Sequence, residues 1–371
     1  MKVRALLVAL MLLFMMLPPT QAAPALRAIL LLNGTLGDKS FFDSAQRGMV
    51  RAQKELGVQT EIIEMGYDPG KWQAGLEDIA ANKQYDILIV GTFQMTDFLS
   101  AVAPKYPNKK FIIFDVTVDY AKCRCGNVYS ILYKQNEGSY LAGLYGALML
   151  KKTSLPGMTG TKIGVVGGLD IPVINDFIVG YKQGAKAAGL NPDRDVLVQY
   201  AGAFNDPAKG KEITKAMYRQ GAAIVFNVAG GTGVGILEAA AEDGRWAIGV
   251  DSDQYEIFKT QKPAIANRIL TSMLKNVDNS LFRALRLAKE GKVTWVRPRR
   301  SASRRAASGW RATTTSRSGR PRMSWPPSFR RRRTSWARRS RSRRSLDRGY
   351  GLGEASVVAS PSSFRRRPKV G

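Results

Sequence analysis

Two carboxylates, Asp251 and Asp253, follow the apolar run Trp246–Val250, and four glycines, Gly230, Gly231, Gly233 and Gly235, stand a short way before it. A carboxylate at the end of a buried strand can accept two adjacent hydroxyl donors, which is how vicinal diols are held. Amides at the start of a helix attract anions, but this glycine run lacks the Lys-Ser/Thr that completes a phosphate loop. Gly230 and its neighbours therefore read as clearance for close backbone approach to a neutral group. Further carboxylates stand at Asp38, Asp43 and Asp115, and aromatic side chains at Phe41, Phe42 and Phe204. The chain has no histidine, and no serine or cysteine sits in a nucleophile constellation, so hydrolytic and metal-assisted chemistry lack their usual groups. Reversible binding is the expected chemistry, with no catalytic residue, no metal and no cofactor.

The elements that must position these residues follow from hydrophobic period. Ala222–Val228 reads as a buried strand, Ile236–Ala241 begins a helix, and Trp246–Val250 returns as a strand. Upstream, strands at Ala28–Leu32, Gln59–Glu64, Ile87–Val90 and Phe111–Phe114 alternate with helices at Phe41–Leu56, Trp72–Ala81 and Thr96–Ala103. A strand at Val128–Leu132 leads to the apolar helix Glu137–Leu150. A second series follows, with strands Ile163–Val166 and Val196–Tyr200 and helices Asp176–Ala188 and Pro207–Gln220; Arg268–Leu270 and Asn276–Lys289 close it. Such alternation marks parallel βαβ units. The prediction is an α/β protein of two doubly wound lobes with a ligand between them, at the carboxyl ends of the strands. Residues 24–133 form the first lobe, 134–252 the second, and 253–292 return to the first. Crossings are expected near Leu132–Asn136 and Asp251–Lys259.

The two ends of the chain differ from this body. Lys2 and Arg4 precede the apolar run Ala5–Leu17, a Pro18-Pro19 breaker and small residues through Ala23. This reads as a secretory signal over residues 1–23, too short to span a bilayer. No cysteine stands at the junction, so a periplasmic or secreted protein without a lipid anchor is expected. Cys123 and Cys125 are the only cysteines and form either a loop thiol pair or a disulfide. Of the formal charge of +28, most lies in residues 293–371, which hold 23 Lys and Arg against 2 Asp and Glu. That Arg-rich segment has no amphipathic period and too few aliphatic residues to offset its ordering entropy. It reads either as a solvated or nucleic-acid-binding arm or as an out-of-frame translation of a GC-rich gene.

Six blocks in order carry a resemblance: Gly37-Asp-Lys-Ser-Phe-Phe-Asp-Ser-Ala45, Asn136-Glu-Gly-Ser-Tyr-Leu-Ala-Gly143, Gly202-Ala-Phe-Asn-Asp-Pro-Ala-Lys-Gly210, Ala229-Gly-Gly-Thr-Gly233, Gly249-Val-Asp-Ser-Asp-Gln254 and Thr271-Ser-Met-Leu-Lys275. Over roughly residues 27–292 the chain resembles the basic membrane protein (BMP) family of ABC-transporter substrate-binding proteins. The resemblance implies the type I periplasmic-binding-protein fold and a purine-nucleoside ligand. It also implies that Phe41 and Phe204 stack on the base, that Asp251 grips the ribose, and that Lys275 contacts a ribose oxygen and balances the acids. Asp115 either accepts paired N–H donors or caps a turn, and Asp38 either caps its helix or touches ligand. Asn136 has the same two readings. Phe42 is either ligand wall or core. It stands where the family commonly has Asn, a departure for which Asp43 is the candidate compensation. Asp253 either joins Asp251 or stabilises the crossing loop.

The expected role is capture of a nucleoside-like solute by closure of the two lobes and delivery to an ABC permease of the inner membrane, as a monomer, without nucleic acid. A ligand-sensing receptor on the same fold, and nucleic-acid or membrane-surface binding through the Arg-rich segment, are the alternatives. If that segment is out of frame, the chain lacks the family's glycine-rich closing segment and helix, and with them the third crossing.

Overall fold

The computed structural model describes residues 24–152, 155–295, 351–353 and 355–359. Its first sheet is built from β1 (Arg27–Leu32), β2 (Gln59–Glu64), β3 (Ile87–Gly91), β4 (Lys110–Phe114) and β5 (Val128–Tyr133). Between them run α1 (Phe41–Leu56), α2 (Pro69–Asn82) and α3 (Thr96–Val102). α4 (Gln135–Lys152) leads to β6 (Lys162–Gly167), α5 (Pro172–Ala187), β7 (Val196–Tyr200), α6 (Pro207–Arg219), β8 (Ala222–Val228), α7 (Thr232–Glu242) and β9 (Trp246–Asp251). Two short helices, α8 (Gln254–Phe258) and α9 (Pro263–Ala266), precede β10 (Ile269–Lys275) and α10 (Val277–Lys289).

Local chemistry sets the element ends. Gly57 takes the left-handed conformation (φ 65°) that ends α1. Asp68 accepts from the Gly70 amide at 3.0 Å to start α2, and Asp206 accepts from the Lys209 amide at 2.9 Å to start α6. Strands β3 and β8 are buried along their whole length, as parallel strands covered by helices on both faces must be.

With two short strands, β11 (Gly351–Gly353) and β12 (Ala355–Ala359), the strand orders are β11-β5-β4-β3-β1-β2 and β12-β10-β9-β8-β6-β7. In each sheet the chain reverses its direction of travel once, between β1 and β3 and between β6 and β8. Such a switch point leaves a crevice at the carboxyl ends of the strands.

One expectation is corrected. Residues 253–275 stay with the second lobe, because β10 pairs with β9 in parallel, Ser272 opposite Gly249 and Met273 opposite Val250. The run Ile269–Met273 is buried throughout, so its apolar side chains are satisfied only inside a sheet. The chain returns at Asn276, after which Val277, Leu281 and Leu285 of α10 join the core that holds Met49 and Ala52 of α1. Within the Arg-rich segment two short strands are described: β11 pairs with β5 in parallel and β12 pairs with β10 antiparallel. Residues 355–359 read Ala-Ser-Val-Val-Ala, an arginine-free and partly β-branched stretch suited to a sheet edge. The rest of residues 296–371, and the readings of it as out-of-frame or nucleic-acid-binding, lie outside the described residues. So does the signal reading of residues 1–23. Cys123 and Cys125 are joined as a disulfide.

Helices α4 and α5 meet backbone to backbone through glycines. A Cβ on Gly184 would lie 1.9 Å from the Tyr140 carbonyl oxygen, and one on Gly143 2.1 Å from that of Tyr181. Gly184→Ala should therefore force the helices apart and lower stability by about 1–3 kcal/mol. A urea midpoint that falls with an unchanged slope is the expected reading; an unchanged midpoint would rule out this contact.

Candidate functional site

The loops after β1, β3 and β4 face those after β6, β8 and β9 across the crevice. They enclose a cavity in which water-sized molecules have about 90 Å³ for their centres, room for several waters. Eight residues singled out in the sequence line it: Asp38, Phe41, Phe42, Asp115, Phe204, Gly230, Asp251 and Lys275.

Three others do not line it. Asp43 turns back on the preceding loop, accepting from the amides of Gly37 at 2.6 Å and Lys39 at 3.0 Å. Asn136 is exposed and accepts from the Glu137 amide at 2.9 Å in the first turn of α4. Asp253 is the N-cap of α8. For all three, a nearby helix or loop offers unpaired amides that a short polar side chain satisfies better than a ligand would.

Asp38 caps its helix and also borders the cavity. It accepts from the amides of Ser40, Phe42 and Asp43 at 2.8–3.1 Å, seating a carboxylate on the N-terminus of α1. Burial raises its pKa against those three amides. Phe42 is core and wall together: it is 6 % exposed, and its ring lies where Gly34 would carry a Cβ. Only glycine leaves it that space. Phe41 stacks on Phe114 with centroids 5.4 Å apart and planes 30° from parallel. Phe204 comes from the opposite lobe and rests its ring on Gly168, another position where a Cβ would collide.

Strain concentrates here. Among the described residues, the non-glycine positions with positive φ are Lys39, Thr92, Asp115 and Asp251. Thr92, Asp115 and Asp251 stand at the carboxyl ends of β3, β4 and β9, where a left-handed residue turns the chain off its strand into the crevice.

The two lobes touch through this region. Ser40 Oγ donates to Asp251 Oδ2 at 2.5 Å, Arg47 Nη2 donates to Ser252 Oγ at 2.6 Å, and Gln254 Nε2 donates to the Lys39 carbonyl at 3.1 Å. Lys275, at the end of β10, forms a buried ion pair with Asp115 at the end of β4. Its ammonium also lies 5.1–5.2 Å from the ring centroids of Phe41, Tyr133 and Phe177, within cation–π range. Asp251 is 7 % exposed. Desolvation pushes its carboxyl up to about 6, against the lowering effects of Lys275 and the Ser40 hydroxyl. Among the described residues, no cluster of three or more His, Cys, Asp or Glu could hold a metal ion.

Sequence reasoning missed much of the wall: Asn33, Thr92 and Gln94 on the first lobe, Ile171, Ile174 and Phe177 on the second. Phe177 had a findable signal, since it lies in the early turns of the helix after β6, as Phe41 does after β1. The first-lobe polar residues sit singly at strand ends, where no periodicity marks them.

Comparison with known proteins agrees with this architecture. Residues 25–295 match the family described as ABC transporter substrate-binding protein PnrA-like. The ABC transporter nucleoside-binding protein BmpA of Lactococcus lactis is 32% identical over 272 residues, covering 69% of this chain and 73% of that protein. A lipoprotein of uncharacterized function from Pyrococcus abyssi is 33% identical over 284 residues, covering 74% of this chain but 66% of its own length. Its name implies a lipid anchor, which the reading of residues 20–23 did not expect for this chain. Among solved structures, an ABC transporter solute-binding protein from Aeropyrum pernix K1 superposes with a TM-score of 0.64 at 30% identity. That match covers 72% of this chain and 71% of the other.

Proposed function

The chain belongs to the PnrA-like family of ABC transporter substrate-binding proteins, and from that premise we propose that it captures a purine-nucleoside-like solute by closure of its two lobes. The captured solute passes to an ABC permease of the inner membrane, and the binding protein acts as a monomer on the outer face of that membrane. The single observation that carries this reading is the pairing of Phe41 and Phe204, from opposite lobes, in one cavity with three carboxylates and one ammonium. Aromatic faces suit a planar base. Asp251 suits a pair of ribose hydroxyls. Closure is supported by the cross-lobe bonds Ser40–Asp251 and Arg47–Ser252, which can form only when the lobes are together, and by passages of the chain at Lys134 and Asn276 that are short enough to bend.

A thermal-shift panel of inosine, guanosine, adenosine, uridine, free bases, ribose and arabinose tests the ligand class. A ligand present at 100 times its Kd stabilises by about 2.7 kcal/mol, which for a body of this size raises Tm by roughly 5–10 °C. Purine nucleosides should give that shift, and sugars and free bases should not. If no nucleoside moves Tm, the ligand assignment falls.

A further inference from the structure

Asn33, at the end of β1, is 3 % exposed and lines the cavity. Its amide nitrogen donates to Thr92 Oγ1 at 2.8 Å, while its carbonyl oxygen Oδ1 is buried with no hydrogen-bond partner among the described residues. An amide oxygen held out of water without a donor costs about 1–3 kcal/mol, so folding alone does not account for it. The bond to Thr92 spans the neighbouring strands β1 and β3, between which the first sheet reverses its order. That is where an open α/β sheet places its ligand. Thr92 holds a positive φ of 74°, unusual for a β-branched residue, and this keeps its hydroxyl at the rim of the crevice.

We propose that Asn33 and Thr92 together read one edge of the bound base. The inference rests on the nucleoside reading above and sharpens it. With its nitrogen committed to Thr92, Asn33 offers the ligand an acceptor, Oδ1. Thr92, already accepting from Asn33, still has its own hydroxyl proton to donate. An acceptor beside a donor matches a base edge that presents N–H next to C=O, or an amino group next to a ring nitrogen. The cavity's carboxylates, Asp38, Asp115 and Asp251, are acceptors, and Thr92 adds a neutral donor to those of Gln94 and Tyr67. Purines carrying a 6-oxo or 6-amino group offer such an edge, and an unsubstituted purine does not.

Isothermal titration of the full chain with inosine, adenosine and purine riboside tests this. The wild-type protein should bind inosine or adenosine at least tenfold more tightly than purine riboside, because a site built around a hydrogen bond rejects the analogue that lacks it. Asn33→Leu and Thr92→Val should each bring the three affinities within about threefold of one another. The inference is overturned if both variants keep the wild-type preference, or if both weaken all three ligands by the same factor, which marks a structural role. If the wild-type chain binds none of the three, the nucleoside reading itself fails and this inference with it.

Discussion

Asp251→Ala is expected to lower nucleoside affinity roughly 100-fold. Two hydroxyls donating to one buried carboxylate make charge-assisted bonds of about 1.5–3 kcal/mol each, and every 1.4 kcal/mol is tenfold in Kd. The same substitution has a stability cost of its own, since Asp251 sits at φ 61°, a conformation Ala adopts with about 1–2 kcal/mol of strain. Asp251→Asn separates the two effects. Asn tolerates the left-handed region and keeps one acceptor, so it should fold like the parent and bind about tenfold more weakly. If Asp251→Ala binds with parental affinity, Asp251 does not hold the ligand.

Affinity should also depend on pH through this residue. Burial raises the Asp251 carboxyl to about 6, and hydroxyl donors favour its ionised form. Ligand binding therefore expels a proton below pH 6, and affinity should fall about tenfold between pH 7 and pH 5. The effect on folding has the opposite sign. A carboxylate whose folded pKa exceeds its unfolded value keeps its proton longer in the native state, so its contribution to stability is full below about pH 4 and is lost as pH rises through 6. Titrations with inosine at pH 5, 6, 7 and 8 should trace the affinity change, and Asp251→Asn should flatten it. A parental profile in that variant would assign the dependence to another group, with Asp38, also raised by burial, the first candidate.

The alternation of strand and helix was plain in the sequence because β1, β3, β8 and β9 are continuous apolar runs and the intervening helices carry a clear period. The carboxylates at strand ends could be picked out for the same reason. What did not carry over was the fate of each polar group near a helix start. Asp38 and Asp253 look alike in sequence, yet Asp38 caps a helix that opens onto the cavity and Asp253 caps one that does not. Apolar period alone gives β10 only three residues, Arg268–Leu270, because Thr271 and Ser272 interrupt the run. Both are buried, and Ser272 Oγ accepts from the Gln254 amide at 3.1 Å. A buried hydroxyl with a partner behaves as a core residue, and only the tertiary structure supplies that partner. Asn33 was invisible for the converse reason: its significance lies in a bond to Thr92, 59 residues away.

Lys275→Met should be the most destabilising single change in the site. Lys275 is 2 % exposed, and its ammonium is paired with Asp115 and ringed by Phe41, Tyr133 and Phe177. Removing it leaves the Asp115 carboxylate buried without a counter-charge. Breaking one side of a buried pair typically costs about 3–5 kcal/mol, or roughly 10 °C in Tm for a body of this size. Removing the stranded charge as well relieves that penalty, so Lys275→Met combined with Asp115→Asn, a residue that tolerates the φ of 80° held there, should recover most of the lost Tm. The double variant should still fail to bind nucleosides, because both groups border the cavity. Recovered stability without recovered binding would place the pair in the ligand site, holding β4 of one lobe to β10 of the other as the crevice closes. Recovery of both would make it a structural bridge only, and a double variant as unstable as Lys275→Met would show that the destabilisation does not arise from the charge left on Asp115.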